Sequence, residues 1–199
     1  MYQISELNTN LSTLELERIS LNPEQENVSY VQPAKPKGGH VYVSDFRGDP
    51  NKISDAKADQ IRWRQDSRKA FQTSSENVTL YKIYLYVVIK KDGKLQKSAL
   101  FKKYISYLSS EPLVQIVEYI GDETTYQPLW HGNSKEKDTE FVRTAPSVLN
   151  TMEERLEQKT SVGNTYKQMV TVCDQTQYQG VLNPRNIQQV KNMKNKIIF

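Results

Sequence analysis

One stretch constrains the fold more than any other. From Val78 to Lys90, Tyr81, Ile83, Leu85, Val87 and Ile89 recur at every second position, with Leu80, Lys82, Tyr84, Tyr86, Val88 and Lys90 between them. A period of two places the first set on one face of a β-strand and the second set on the other. Lys91-Asp92-Gly93-Lys94 follows at once. Asp-Gly is the signature of a type I′ hairpin, because glycine accepts the positive φ that this turn demands. The strand must therefore fold back on a second one. Leu95 to Leu108 is expected as that partner, although Leu100, Phe101, Tyr104, Ile105 and Leu108 also fit a helical period.

Other strands gather around this hairpin. Val41 to Phe46 has the β-branched and aromatic content of a short strand and is turned by Gly48-Asp49-Pro50. Asp55 to Gln60 reads as one helical turn or loop. Gln60-Ile-Arg-Trp-Arg-Gln65 alternates cleanly, and Asp66 to Asn77 reads as loop. Leu113 to Ile120 closes the sheet, ended by Gly121-Asp122. The result is four to five antiparallel strands with one face left to be covered or to hold a ligand.

The rest of the chain differs in character. Residues 1–36 form a flexible acidic arm in which Leu7, Leu11, Leu14 and Ile19 hint at a transient helix. Residues 1–34 carry Glu6, Glu15, Glu17, Glu24 and Glu26 against Arg18, so −4, and the remainder carries +8 of a net +4. A basic body behind an acidic arm suits a polyanion-binding protein, although soluble basic domains without such a partner are common. Residues 37–122 are the β module. Residues 123–143 are a linker containing Trp130-His-Gly-Asn133, and residues 144–199 are helical. The fold class expected is α+β.

In the helical part Thr144 is expected to cap a helix bearing Val148, Leu149, Met152 and Leu156, with Pro146 in its first turn. Ser161 opens a second helix with Val162, Tyr166, Met169 and Val170 aligned. Asn183 caps a third, where Ile187, Val190, Met193 and Ile197 share one stripe. Three short helices ending in a basic one resemble a helix-turn-helix.

Catalytic chemistry finds little support. Cys173, the only cysteine, has only His40 and His131 as partners, both distant in sequence, and reads as an ordinary thiol. One Cys and two isolated His residues give no zinc motif. Asp45, Asp49, Asp55 and Asp59 are interleaved with Arg47, Lys52, Lys57 and Arg62, which predicts ion pairing on a solvated surface. Gly38-Gly39 lacks the following helix and lysine of a phosphate loop. The expectation is a non-enzyme without cofactor or metal. A lone cysteine, no apolar run of membrane-spanning length and no signal-peptide pattern predict an intracellular protein.

DNA binding finds more. The last helix carries no acid, and its polar side presents Arg185, Gln188, Gln189, Asn192, Asn195 and Lys196. Arginine, glutamine and asparagine make bidentate hydrogen bonds to guanine and adenine edges. Arg185, Gln188, Gln189 and Asn192 are therefore candidates for reading bases. Lys191, Lys194, Lys196, Arg62 and Arg64 are candidates for phosphates. The alternative for this helix is a surface helix that only packs by its stripe. On the sheet, Arg62, Trp63, Arg64, Lys82, Tyr84, Tyr86 and Lys102-Lys103-Tyr104 combine cations and aromatics, with core as the favoured reading of Trp63.

Several motifs carry a resemblance. Gly38-Gly-His-Val-Tyr-Val, then Asp59-Gln-Ile-Arg-Trp-Arg-Gln65 and the aromatic strand, resemble the small β modules of the WRKY and FLYWCH type, without their Cys/His zinc site. Leu100 to Leu108 followed by Leu113 to Ile120 is similar to the closing strands of the CG-1 domain. Pro184-Arg185-Asn186 and Gln189-Val-Lys-Asn192 match a pattern in the N-terminal DNA-binding region of Mutator-like-element transposase relatives. The resemblance spans residues 37–196. It implies binding of double-stranded DNA without cleavage, by a transposase-derived fragment or domesticated regulator acting in the nucleus. The competing expectation is a protein-interaction adaptor that binds a protein partner through the acidic arm and the Tyr-rich sheet face. Single-stranded nucleic acid on exposed tyrosines is a third.

Overall fold

The computed structural model describes residues 11–23, 36–59, 61–126, 144–173, 184 and 186–197. The chain is α+β. Strands β1 (Val41–Asp45), β2 (Trp63–Gln72), β3 (Thr79–Lys91), β4 (Lys94–Leu108) and β5 (Val114–Gly121) form an antiparallel sheet in the order β1-β5-β4-β3-β2. At the β3–β4 hairpin Asp92 and Gly93 take φ of 50° and 75°, the two positive values of a type I′ turn. β4 is a strand throughout. Its helix-like spacing arises because Phe101 and Ile105 are buried on one face and Tyr104 and Leu108 on the other. A register shift opposite Tyr86 and Val87, whose partners are Lys102 and Ser98, leaves Leu100 exposed.

β2 departs from expectation. It continues to Gln72 through residues 66–72, which the sequence assigns to a loop, with an irregularity between Gln65 and Ser67. β2 is a sheet edge, so Arg68, Lys69 and Ala70 stay exposed and Ser67 and Phe71 are only half-buried. The hydrophobic pattern is too thin there to announce a strand.

The sheet has two differently covered faces. On the first, Tyr42, Trp63, Ile83, Leu85, Val87, Phe101, Ile105, Val117 and Tyr119 form the main core. Phe46, Ala56 and Ile61 of the β1–β2 connection cover it, together with Ile53 of the 3-10 helix Pro50–Lys57. The second face is covered at one end by helix α1 (Thr13–Leu21). Leu11, Leu16 and Ile19 bury against Val43, Leu80, Leu108, Val114 and Ile116. Each such side chain contributes roughly 2 kcal/mol.

This corrects the flexible-arm reading over the described residues 11–23. Ser12 and Glu15 form a reciprocal capping box, with Ser12 N–H donating to Glu15 Oε2 at 2.8 Å and Glu15 N–H to Ser12 Oγ at 3.3 Å. The helix then docks through long-range contacts that no local pattern reveals. The Glu17 carboxylate accepts from Ser74 N–H at 3.1 Å and Ser74 Oγ at 2.8 Å, and Glu118 Oε1 accepts from Leu11 N–H at 2.8 Å. The remainder of the arm lies outside the described residues.

Helices α2 (Pro146–Glu157), α3 (Val162–Cys173) and α4 (Ile187–Ile197) share a core of Ala58, Ala145, Val148, Met152, Leu156, Met169 and Val190. Ala58 follows the 3-10 helix, so the helical segment packs on the segment that covers the first sheet face. The expected cap Thr144 does not cap α2: Ala145 is the N-cap and makes no side-chain bond. Instead the Asp55 carboxylate accepts from Ser147 N–H at 3.0 Å and from Ser147 Oγ. An anion at a helix N-terminus meets both a free donor and the positive end of the dipole. Ser161 does open α3, accepting from Asn164 N–H at 3.2 Å. For α4 the cap is Asn186, whose Oδ1 accepts from Gln189 N–H at 3.0 Å. Asn183, the expected cap, lies outside the described residues, and Pro184 precedes the helix.

Candidate nucleic-acid interface

The apolar stripe of α4 is inward over its later turns, whereas Ile187 at its start is exposed. Val190 is fully buried and Met193 and Ile197 pack beside it. That fixes the outer face: Gln188, Lys191, Asn192, Lys194, Asn195 and Lys196 are all exposed. Two of the expected base readers are engaged. Gln188 Nε2 donates to Asn192 Oδ1 at 2.8 Å, a one-turn pair on the exposed face. Gln189 is half-buried and bonds the Thr144 hydroxyl, with its Nε2 at 3.1 Å, which ties α4 to the start of α2. A glutamine spent on packing two helices is not free to read a base, so Gln189 leaves the candidate set. Arg185 lies outside the described residues.

Arg62 and Arg64 are exposed, as alternation around the buried Trp63 requires. Arg64 pairs with Tyr86 and so faces the second side of the sheet, the one that α1 covers at its other end. The helical segment packs against the cover of the first side. The fold therefore does not gather Arg62, Arg64 and the lysines of α4 on one face.

The neighbours of Arg64 on the second face form a distinct surface. Register places Lys69, Tyr84, Tyr86, Lys102 and Tyr104 on it. Tyr84 and Tyr86 are half-buried, and Tyr104 is buried. Tyr84 and Tyr104 meet edge to face at 4.6 Å between centroids. Lys69 Nζ stands 5.4 Å from the Tyr84 ring, and Lys97 and Lys102 stand 5.9 and 6.0 Å from the Tyr86 ring. Burial, followed by the neighbouring Tyr86, Tyr84 and Glu118 charges, pushes the Tyr104 phenol up to about 12. Burial and the Glu118 and Tyr86 charges also raise Tyr84. These phenols stay neutral, and of their rings only that of the half-buried Tyr84 reaches the surface.

Besides Asp55, which is buried at the start of α2, three other charged residues prove to be interior, against expectation. Lys103, which the sequence groups with the surface cations, is completely buried, and so is Asp59, expected on a solvated surface. Asp59 Oδ2 accepts from Lys103 Nζ and Tyr119 OH, both at 2.8 Å. Its Oδ1 accepts from Ile61 N–H and Trp63 Nε1, also both at 2.8 Å. This one carboxylate pins the β1–β2 connection to the sheet. Burial, with the Asp59 charge next, holds the Tyr119 phenol well above its ordinary range. Lys82 is the third: it pairs with Glu118 at 2.8 Å beneath α1 and stands 4.8 Å from the Tyr104 ring. A signal existed in the sequence. Lys82, Lys103 and Glu118 sit mid-strand between apolar neighbours, and a charge there must find an opposite one. Asp45–Arg47 and Asp49–Lys52 do pair at the surface as expected.

His40 Nδ1 accepts from Lys37 N–H at 3.3 Å, a local turn contact. His131 and the Cys173 side chain lie outside what is described. Among the described residues no group of three His, Cys, Asp or Glu is placed to hold a metal ion. Among them, too, no helix is long and apolar enough to cross a membrane. No protein-family model, curated protein or solved structure matches the chain.

Proposed function

We propose that the chain binds double-stranded DNA, with α4 as the element that enters the major groove and without chemistry of its own. The observation that carries this reading is the outer face of α4. Six polar or basic side chains are exposed there, Lys191, Lys194 and Lys196 among them, and the helix contains no acid. A helix exposed only for solubility is ordinarily served by mixed Glu/Lys pairs. An acid-free face costs repulsion unless an anion neutralises it.

Gln188 and Asn192 deepen the reading. Their mutual bond uses one donor and one acceptor and leaves the Gln188 Oε1 acceptor and the Asn192 Nδ2 donor. One acceptor and one donor suit the N6 and N7 edge of adenine. Lys191, Lys194 and Lys196 then serve phosphates. A nuclear, transposase-derived origin is consistent with this reading and rests on the motif resemblance alone.

The test is binding of the full chain to random-sequence duplex DNA titrated across salt. Neutralised phosphates give a log K that falls linearly with log salt, at a slope near −0.9 per contact. Lys194→Ala weakens binding to all sequences and flattens the slope by about one unit, whereas Gln188→Ala changes base preference. Absence of binding at low salt, or equal sequence-independent losses in both variants, removes the recognition-helix assignment. The adaptor reading then leads.

A further inference from the structure

We infer that the uncovered end of the second sheet face is a separate site for single-stranded nucleic acid, where unpaired bases stack on Tyr86 and Tyr84 and flanking cations hold the phosphates. The site is independent of the duplex reading, because it lies on the side of the sheet opposite the one the helical segment packs against.

Three observations carry it. The first is the pairing of rings with cations. Tyr86 is half-exposed between Lys97 and Lys102, and Tyr84 beside Lys69, each ammonium about 6 Å or less from a ring centroid. A strand laid across this face brings a base to a ring and its phosphate to an ammonium in one step.

The second is charge. Among the described residues Arg64, Lys69 and Lys102 make no ion pair. The nearby acids are already taken, Glu118 by Lys82 and Asp66 by Lys97. The face is therefore a net cation surrounding neutral aromatics.

The third is spacing. Tyr84 and Tyr86 are two residues apart on one face, so their rings are about 7 Å apart. That is about twice the 3.4 Å advance per nucleotide of a stacked strand, the opening an extended single strand adopts to place bases on separate rings. A duplex exposes its base faces only at its ends, and an acidic protein segment would answer the cations but brings no flat π-face to each ring. Unpaired bases on a polyanion match both halves of the surface.

The experiment uses the full chain and a fluorescein-labelled 15-nucleotide oligo(dT), read by anisotropy at low salt, with the duplex measured in parallel. Tyr86→Ala is expected to weaken oligo(dT) binding about tenfold. Tyr86→Phe, which keeps the ring, stays within about twofold, and the Lys69→Ala/Lys102→Ala pair reduces the salt slope. Unchanged circular dichroism and melting of the Tyr86 variants show that the fold is kept. Duplex affinity is unaffected by Tyr86→Ala if a duplex site exists elsewhere. Ring-dependent oligo(dT) binding with no duplex binding upholds this site and ends the duplex reading. The inference is overturned by absence of oligo(dT) binding, by equal losses in Tyr86→Ala and Tyr86→Phe, or by heparin binding as tightly as the oligonucleotide.

Discussion

Replacing Asp59 with alanine tests the structural argument most directly. The carboxylate is completely buried and serves four donors: Lys103 Nζ, Tyr119 OH, Trp63 Nε1 and Ile61 N–H. Its removal takes from the fully enclosed Lys103 ammonium the carboxylate that neutralises it. Losing one partner of a buried ion pair costs about 3–5 kcal/mol. A domain of this size is stable by about 5–15 kcal/mol, so the variant folds but is severely weakened. With a urea m-value near 2 kcal/mol/M, a loss of about 4 kcal/mol lowers the midpoint by about 2 M. Melting falls by about 10 °C. Urea unfolding followed by circular dichroism measures both. The Asp59→Ala/Lys103→Met double variant removes both buried charges and loses less than Asp59→Ala alone. What it still loses comes from the unsatisfied donors of Trp63, Tyr119 and Ile61, each about 1–3 kcal/mol where no water reaches them. A single-variant loss below about 1 kcal/mol, or a double variant whose losses simply add, would refute the account of Asp59 as the lock between connection and sheet.

Further outcomes follow from other contacts. Asn186→Ala removes the cap of α4 and costs about 1 kcal/mol of stability by urea unfolding, with duplex affinity reduced if α4 is the contact helix. Gly121→Ala is more damaging. Gly121 has φ of +99°, and an added Cβ would stand 2.0 Å from the Leu100 carbonyl oxygen, so a loss above about 2 kcal/mol is expected and an unchanged melt contradicts it. The Ser74 main-chain and hydroxyl donors hold Glu17 below its ordinary value of 4.5. Its contribution is complete above that unfolded value and is lost as pH falls through the lower folded one. The amides of α1 therefore lose hydrogen-exchange protection in acid, and Glu17→Gln removes that pH dependence; an unchanged acid profile in the variant argues against the docking. Tyr104 titrates near 12 when folded, so its contribution is complete below the unfolded value of about 10 and is lost as pH rises towards 12. In a phenolate absorbance titration Tyr104→Phe removes a late-titrating step, and loss of an early one contradicts the burial.

Local physical chemistry wrote much of this fold into the sequence. The period-two pattern of β3 and the Asp92-Gly93 turn determined the central hairpin, and hence that Leu95 to Leu108 is a strand despite its helical spacing. The stripe of Val190, Met193 and Ile197 determined which side of α4 is inward, and so which lysines are exposed, while Ile187 of the same expected stripe stays at the surface. Tertiary structure decided what local pattern carries no information about. An edge strand such as β2 is held by main-chain bonds to β3 while its side chains face solvent, so its length is invisible to hydrophobic pattern. Docking of α1 depends on partners such as Ser74 and Glu118, which lie far along the chain. A charge placed mid-strand between apolar neighbours signals that it needs an opposite one, but not which residue supplies it. Only the three-dimensional pairing of Asp59 with Lys103, and of Glu118 with Lys82, made those charges interior and left Arg64, Lys69 and Lys102 as the cations of the sheet face. The sequence assigned Arg62, Arg64 and the lysines of α4 to one phosphate-binding set. The layering of helices, connection and sheet set them on different sides, because a strand's alternation and a helix's stripe are each fixed by what lies inward of them.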